Sequence, residues 1–213
     1  MVKRKSAQDT VLLVHGLWMG GWSMGWLSHK LREAGFVTEA VSYDSFSGAP
    51  REHVERLAQA AGSCSGTVHL IGHSMGGVVV LLYLMGLARP PAAGRAVLLG
   101  TPARGSQAAL AFERQPWGPV LLGKSIDLWR SAFPSGIDGA LEVGALAGNE
   151  AFGLGPLFVS LPPPNDGVIT VDETRIPGLR DHMVLPVSHT GMLVSNAVAH
   201  QTTAFLRTGR FER

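Results

Sequence analysis

Residues 68–79 constrain the fold of this chain more than any other stretch. An apolar run at 67–71 leads into Gly72-His73-Ser74-Met75-Gly76 and then into a second, longer apolar run. This order predicts a buried strand, a sharp turn and a helix. A serine at the apex of such a turn needs glycine two residues before and two residues after it, because larger side chains would collide with the backbone. Gly72 and Gly76 meet that requirement, so the serine is predicted to stand above the edge of a sheet.

The motif is weak evidence when it is taken alone. With 27 glycines among 213 residues, a G-x-S-x-G sequence is expected by chance about 0.2 times, so its surroundings have to support it. Strand patterns occur at 10–16, 36–42, 67–71 and 95–100, and helical patterns at 22–34, 51–61 and 75–88. This alternation predicts parallel strands that are covered by helices on both faces. Ligands of such sheets bind beyond the carboxyl ends of the strands, which is also where Ser74 falls.

The pattern changes in residues 103–139, which we call the cap segment. It has no strand signal, and three prolines interrupt its apolar residues. Two interpretations stay open: helices that pack against the core as in any domain, or an apolar cover over a binding site. After the cap segment, strand patterns are predicted at 141–147, 157–161, 168–171 and 181–187, and a closing helix is predicted at 192–206.

A serine hydroxyl becomes a good nucleophile only beside a base that takes its proton and a third group that orients the base. In a sheet of this kind the three groups follow one another along the chain as serine, carboxylate and histidine. His189 is the predicted base, because it follows the last strand on the same edge as Ser74 and has small neighbours. Asp166 is the predicted carboxylate, although its Asn-Asp-Gly context is equally typical of a plain Asx turn. Weaker candidates for the carboxylate are Asp172, Asp138 and Asp181.

Two backbone N–H groups are expected to stabilise the negative charge that develops on an attacked acyl group, as an oxyanion hole. Met75 supplies one of them at the N-terminus of its helix, where the helix dipole favours negative charge. Leu17, in the loop after the first strand, supplies the other. The same loop and the cap segment carry large apolar side chains, which predict an apolar substrate pocket. The predicted pocket residues are Trp18, Met19, Trp117, Leu121 and Trp129.

Composition and charge argue against several other classes of protein. Hydrophobic residues make up 46% of the chain and charged residues 16%, which is typical of a globular protein. The net charge of +2 is scattered, so no nucleic-acid partner is expected. We see no signal peptide and no apolar run that could span a bilayer, and we expect a cytoplasmic protein without stable membrane insertion. Cys64 is the single cysteine, and no metal-ligand cluster or phosphate-binding glycine loop occurs, so no cofactor is expected. The sequence does not predict an oligomeric state.

Five segments carry a resemblance to a known family: His15-Gly16, Gly72-His73-Ser74-Met75-Gly76-Gly77, Gly100-Thr101-Pro102-Ala103-Arg104-Gly105-Ser106, Asn165-Asp166-Gly167-Val168 and Ser188-His189. They resemble the α/β-hydrolase superfamily and, within it, compact bacterial lipases and carboxylesterases. The resemblance implies an α/β fold, a three-layer sandwich with a mostly parallel central sheet. It implies one domain over residues 1–213 with a small helical cap insertion at 103–139. This chain is short for the superfamily, which favours an accessible site over a closed tunnel.

The predicted activity is hydrolysis of carboxylic esters through an acyl-enzyme on Ser74, with a small-molecule ester or lipid as the substrate. One alternative keeps the same three residues but makes the chain an acyltransferase or a thioesterase, since the acceptor depends on pocket shape and water access. Another alternative is a binding protein that uses this fold without catalysis, because a fold does not imply a function.

Overall fold

A six-stranded parallel sheet forms the centre of the protein. The computed structural model describes residues 9–86, 93–130, 135–137, 141–152 and 161–213. The strands are β1 (Thr10–Val14), β2 (Val37–Val41), β3 (Val68–His73), β4 (Ala93–Leu99), β5 (Glu142–Gly148) and β6 (Asp181–Leu185). They lie in the order β2-β1-β3-β4-β5-β6, and every neighbouring pair is parallel. The predicted α/β class and parallel sheet are confirmed.

Helices connect these strands. The α-helices of the described ranges are α1 (Gly25–Glu33), α2 (Pro50–Gly62), α3 (Met75–Gly86), α4 (Gln107–Glu113), α5 (Gly118–Leu122), α6 (Ser125–Arg130) and α7 (Asn196–Thr208). Short 3-10 turns occur at Gly21–Met24, Asp172–Thr174 and Gly191–Val194. The chain cannot continue α7 beyond Thr208, because Gly209 takes a left-handed conformation with φ 74°. No helix in the described ranges is long and apolar enough to span a membrane.

The sheet is buried on both faces because its strand residues alternate between two apolar clusters. In β1, Val11 and Leu13 join the cluster that is shared with α1 and α7, while Leu12 and Val14 join the cluster that is shared with α2 and α3. All six residues of β3 are buried, His69 and His73 included, as expected for a central parallel strand. Helices therefore cover both faces, which gives the three layers of the sandwich.

The strand order changes direction between β1 and β3. From β1 the chain adds β2 on one side, and it then crosses over to build β3 to β6 on the other side. Ligands of open α/β sheets bind at such a switch point, beyond the carboxyl ends of the two strands. The residues that follow these ends are the loop at 16–19, which we call the β1 loop, and Ser74.

The cap segment is helical in its described part, where it forms α4, α5 and α6. Two strands predicted after the cap segment are not seen: one prediction is wrong, and the other falls almost wholly outside the described residues. The predicted strand at 168–171 is wrong: these residues form turns, with a single bridge between Asn165 and Thr170, because their backbone groups bond within the loop. The predicted strand at 157–161 lies almost wholly outside the described residues, as do Asp138 and the side chain of Trp129.

Candidate active site

Ser74 occupies the sharp turn between β3 and α3. Its φ is +54°, in the left-handed region that is costly for a residue with a side chain. Its N–H donates to the carbonyl of Leu99 at 2.8 Å, and its own carbonyl accepts from Gly77 at 3.0 Å. These bonds tie the turn to the end of β4 and to the first turn of α3. The serine is thus held in a strained conformation at the carboxyl edge of the sheet.

The glycines around Ser74 are required by close approach. A Cβ on Gly72 would overlap the backbone of Gly77, and a Cβ on Gly76 would overlap the carbonyl of Val14. These are the collisions that the sequence pattern predicts for the two positions. Gly77 is equally constrained, because a Cβ there would overlap the side chain of Thr101. The sequence pattern alone did not identify this third requirement.

Asp166 and His189 lie against each other at the same edge. His189 Nδ1 donates to Asp166 Oδ2 at 2.8 Å, and both residues are buried, Asp166 being 1% exposed. The other carboxylate oxygen accepts from the N–H groups of Val168 at 2.9 Å and Ile169 at 2.7 Å. Asp166 therefore fulfils both interpretations: Oδ1 forms the Asx turn, and Oδ2 orients His189. With Nδ1 protonated, Nε2 of His189 carries the lone pair that a general base needs.

His73, to which the sequence assigned no role, supports the backbone of His189. Its Nε2–H donates to the carbonyl of His189 at 3.0 Å, and the two imidazole rings lie 4.8 Å apart. The ring of His73 is fully buried, and its Nδ1 has no hydrogen-bond partner. Burial, with a smaller contribution from the neighbouring His189, lowers the pKa of His73 to about 3. His73 is therefore neutral at neutral pH and adds no positive charge beside His189.

Met75 and Leu17 lie where the two oxyanion donors are predicted. Met75 is the first residue of α3, so its N–H has no acceptor within the helix. Its side chain is fully buried in an apolar cluster with Val78 and Leu128, which anchors this end of the helix. Leu17 lies in the loop after β1, and β1 is a neighbour of β3 in the sheet. Leu17 lines the same cavity as Ser74. The donor directions stay a prediction.

A cavity of about 950 Å³ opens beside Ser74 and His189. Its wall combines the β1 loop, α4, α5 and the loop that carries Asp166. Four of the five predicted pocket residues line it: Trp18, Met19, Trp117 and Leu121. The side chain of the fifth, Trp129, lies outside the description. Among the lining residues that the structure describes, none is Asp, Glu, Lys or Arg.

Glu173 joins the base of the cap segment to the Asp166 loop, and the sequence did not identify it. One carboxylate oxygen accepts from the N–H of Gln107 at 2.6 Å, at the start of α4. The other accepts from the N–H and hydroxyl of Thr170 at 2.7 and 2.8 Å. Glu173 is only 5% exposed. Its threonine-x-x-glutamate spacing is typical of a capping box and is the signal that could have found it.

The remaining candidates lie elsewhere. Asp181 accepts from Arg213 and from the N–H of Phe211, so its carboxylate holds the end of the chain. Asp172 is exposed. No group of three or more histidine, cysteine or acidic side chains that could hold a metal ion occurs in the described ranges. The cavity thus lies beside a serine and a histidine–aspartate pair, and the two backbone donors stay a prediction.

Similar solved structures share the fold at low sequence identity. A lipase of Bacillus licheniformis, BlEst2 in its mature form, is 18% identical, with a TM-score of 0.72 over 99% of this chain and 96% of that chain. Polyneuridine aldehyde esterase is 16% identical, with a TM-score of 0.64 over 94% and 99%. A lipase-esterase related protein of Clostridium acetobutylicum is 16% identical, with a TM-score of 0.62 over 96% and 95%.

One of the two sequence comparisons assigns the chain to a family. No curated protein matches the sequence. The sequence model described as the alpha/beta hydrolase family matches residues 11–204, which include every strand of the sheet except the first residue of β1. The chain belongs to the alpha/beta hydrolase family.

Proposed function

We propose that this α/β hydrolase cleaves carboxylic esters through an acyl-enzyme on Ser74. The observation that carries the proposal is the 2.8 Å contact of His189 Nδ1 with Asp166 Oδ2 at the wall of a cavity that Ser74 also lines. A strained serine and an oriented imidazole that line one cavity are the components that nucleophilic acyl transfer requires. The lipase and esterase names of similar structures agree with this reaction class.

In the proposed reaction, Ser74 Oγ attacks the acyl carbon and His189 Nε2 takes the hydroxyl proton. The N–H groups of Leu17 and Met75 donate hydrogen bonds to the acyl oxygen as negative charge develops on it, and each such donor is worth about 3 kcal/mol in the transition state. His189 then gives its proton to the leaving alcohol. Water attacks the acyl-enzyme by the same route and releases the acid. All of these groups belong to the chain itself.

The proposed substrate is an uncharged ester with an apolar group. The side chains of Met19, Phe112 and Leu122 line the cavity, and apolar surface removed from water contributes about 25 cal/mol per Å². A charged substrate group would lose its hydration there without an opposite charge on the described wall. We also propose that residues 103–139 act as a cap within a single domain, since α4 and α5 contribute to this wall.

The first experiment measures hydrolysis of p-nitrophenyl butyrate by the wild type, Ser74→Ala and Ser63→Ala. Ser74→Ala should lose at least about 10³-fold in kcat, because the nucleophile is gone. Ser63 is an exposed residue at the end of α2, so Ser63→Ala should keep wild-type activity. A fluorophosphonate should label the wild type at Ser74. Retained activity in Ser74→Ala, or a wild type that does not become labelled, would contradict the proposal.

A second experiment separates hydrolysis from transfer. The acyl-enzyme is offered competing alcohols and thiols, and the products are quantified. We expect the free acid to dominate; an acyl-transfer product in excess would favour the acyltransferase alternative, and preferential turnover of acyl-thioesters would favour the thioesterase. The cytoplasmic location stays a prediction of the sequence.

A further inference from the structure

We propose that Trp18 makes catalysis by this enzyme sensitive to the length of the acyl chain. Trp18 bonds the β1 loop to cap helix α5, so that a chain filling the cavity acts on the backbone beside Ser74. This inference rests on the proposed function and adds to it a residue that determines specificity.

The indole of Trp18 is a direct link between two distant parts of the chain. Its Nε1–H donates to the backbone carbonyl of Leu121 in α5 at 2.8 Å, across 103 residues of sequence. The backbone of Trp18 is strained, with φ +59°, in the left-handed region that favours glycine. A tryptophan stays in this conformation only where its surroundings hold it. The bond to α5 is one contact that does so.

Trp18 is adjacent to the predicted oxyanion donor. Leu17 and Trp18 form the turn of the β1 loop, so a shift of the indole moves the peptide chain that carries the Leu17 N–H. Gly16, just before this turn, packs against the turn at Ser74, with Ser74 Cβ 3.3 Å from the Cβ that an alanine would have at position 16. The loop thus has little room beside the serine, and small displacements of its N–H groups change how well they face the acyl oxygen.

The other side of Trp18 belongs to the cavity wall. Its ring centroid lies 6.2 Å from that of Phe112 in α4, and Phe112 packs edge-to-face against Trp117 at 4.7 Å. All three rings line the cavity. An acyl chain that fills the cavity contacts this aromatic wall, whereas an acetyl group ends close to the reacting carbon.

Helix α5 has a second attachment just beyond the same C-terminal end. The N–H of Lys124 donates to the carbonyl of Phe46 at 2.8 Å, and the turn at Gly123 takes φ +55° against the same residue. Leu122 is buried. The helix is therefore held on the loop before α2 and reaches the β1 loop through the indole N–H of Trp18. An acyl chain that pushes against α5 therefore also displaces the β1 loop, because the bond between Trp18 and Leu121 joins the two.

Two consequences follow for kinetics. Long acyl chains should gain in kcat, because contacts remote from the reacting carbon are used to position the oxyanion donors. Acetyl esters should show no such increase in kcat, because an acetyl group does not contact the aromatic wall. Without the indole N–H, long chains still bind in the cavity but lose this advantage.

The test compares kcat for p-nitrophenyl octanoate with kcat for p-nitrophenyl acetate in the wild type, Trp18→Phe and Trp22→Phe. Active sites are titrated with a fluorophosphonate, and thermal unfolding is recorded for each protein. Trp18→Phe keeps an aromatic ring but has no N–H. We expect its octanoate-to-acetate kcat ratio to fall about fivefold, the loss typical of one neutral hydrogen bond, because kcat falls more for octanoate than for acetate. Trp22 is 82% exposed and lies outside the described cavity wall, so Trp22→Phe should keep the ratio within about twofold.

Three results would overturn the inference. Equal losses of kcat on both esters would make Trp18 a support of the loop only. A higher KM for octanoate at unchanged kcat would make it a passive part of the wall. If kcat of the wild type did not depend on acyl-chain length, there would be no chain-length effect for Trp18 to produce. A wild type that the fluorophosphonate does not label contradicts instead the proposed function, on which the inference depends.

Discussion

His73 should make the protein less stable in mild acid by an amount that the structure allows us to calculate. Its ring is fully buried, and burial lowers its pKa from 6.5 to about 3. Below pH 6.5 the unfolded chain binds a proton at His73 that the folded protein does not bind. The free energy of unfolding therefore carries no penalty above pH 6.5, and it falls as the pH is lowered from there toward 3.

The expected loss follows from the pKa difference. At pH 5 the unfolded histidine is protonated and the folded one is neutral, so the penalty is about 1.4 kcal/mol for each of the 1.5 pH units below 6.5. His73 alone should thus destabilise the folded state by about 2 kcal/mol between pH 7 and pH 5. Other histidines whose pKa is lowered, such as the half-buried His182 with a pKa of about 4, add their own losses.

The assay is urea unfolding of the wild type and His73→Gln at pH 7 and pH 5. Glutamine can donate to the carbonyl of His189 as His73 Nε2 does, but it does not titrate. The wild type should therefore lose about 2 kcal/mol more than the variant over this interval, while contributions from other histidines cancel. Equal losses in the two proteins would refute the reasoning, whatever the stability of the variant at pH 7.

Three further predictions concern residues near the site. Gly76→Ala should greatly lower the melting temperature or prevent folding, because its Cβ would meet backbone carbonyls at the end of β1, whereas Gly62→Ala has open space and should stay within about 1 kcal/mol of the wild type. Glu173→Gln should cost about 1–3 kcal/mol in thermal or urea unfolding, because an amide places a donor against Gln107 or against Thr170; an unchanged stability would contradict this. Ester hydrolysis should fall at least about 10³-fold in kcat in His189→Ala, because no base then takes the serine proton, and retained turnover would argue against this base.

The sheet and the edge that carries the site could be predicted because they depend on local and periodic properties of the sequence. A short, largely apolar run such as residues 68–71, repeated between helical patterns, is typical of a strand buried on both faces of a parallel sheet. Glycines at two fixed positions around Ser74 indicate a turn that no larger residue allows. The order of serine, aspartate and histidine along the chain predicted which side chains meet, and Asp166 and His189 do meet.

The contacts that surround these residues depend on tertiary structure. His73 supports the carbonyl of His189 across 116 residues, and Trp18 bonds to Leu121 across 103. Neither contact leaves a periodic signal, because a single hydrogen bond to a backbone carbonyl places no demand on the residue type that supplies the carbonyl.

The sequence by itself determined the parallel α/β class, the strained serine turn and the identity of the predicted catalytic residues, since each follows from burial, backbone sterics or chain order. Only the tertiary structure decided that the loop at 168–171 bonds to Asp166 instead of forming a strand, and that Glu173 ties this loop to the cap segment. The physical reason is that buried donors and acceptors must find partners wherever the fold brings them, and those partners are distant in the sequence.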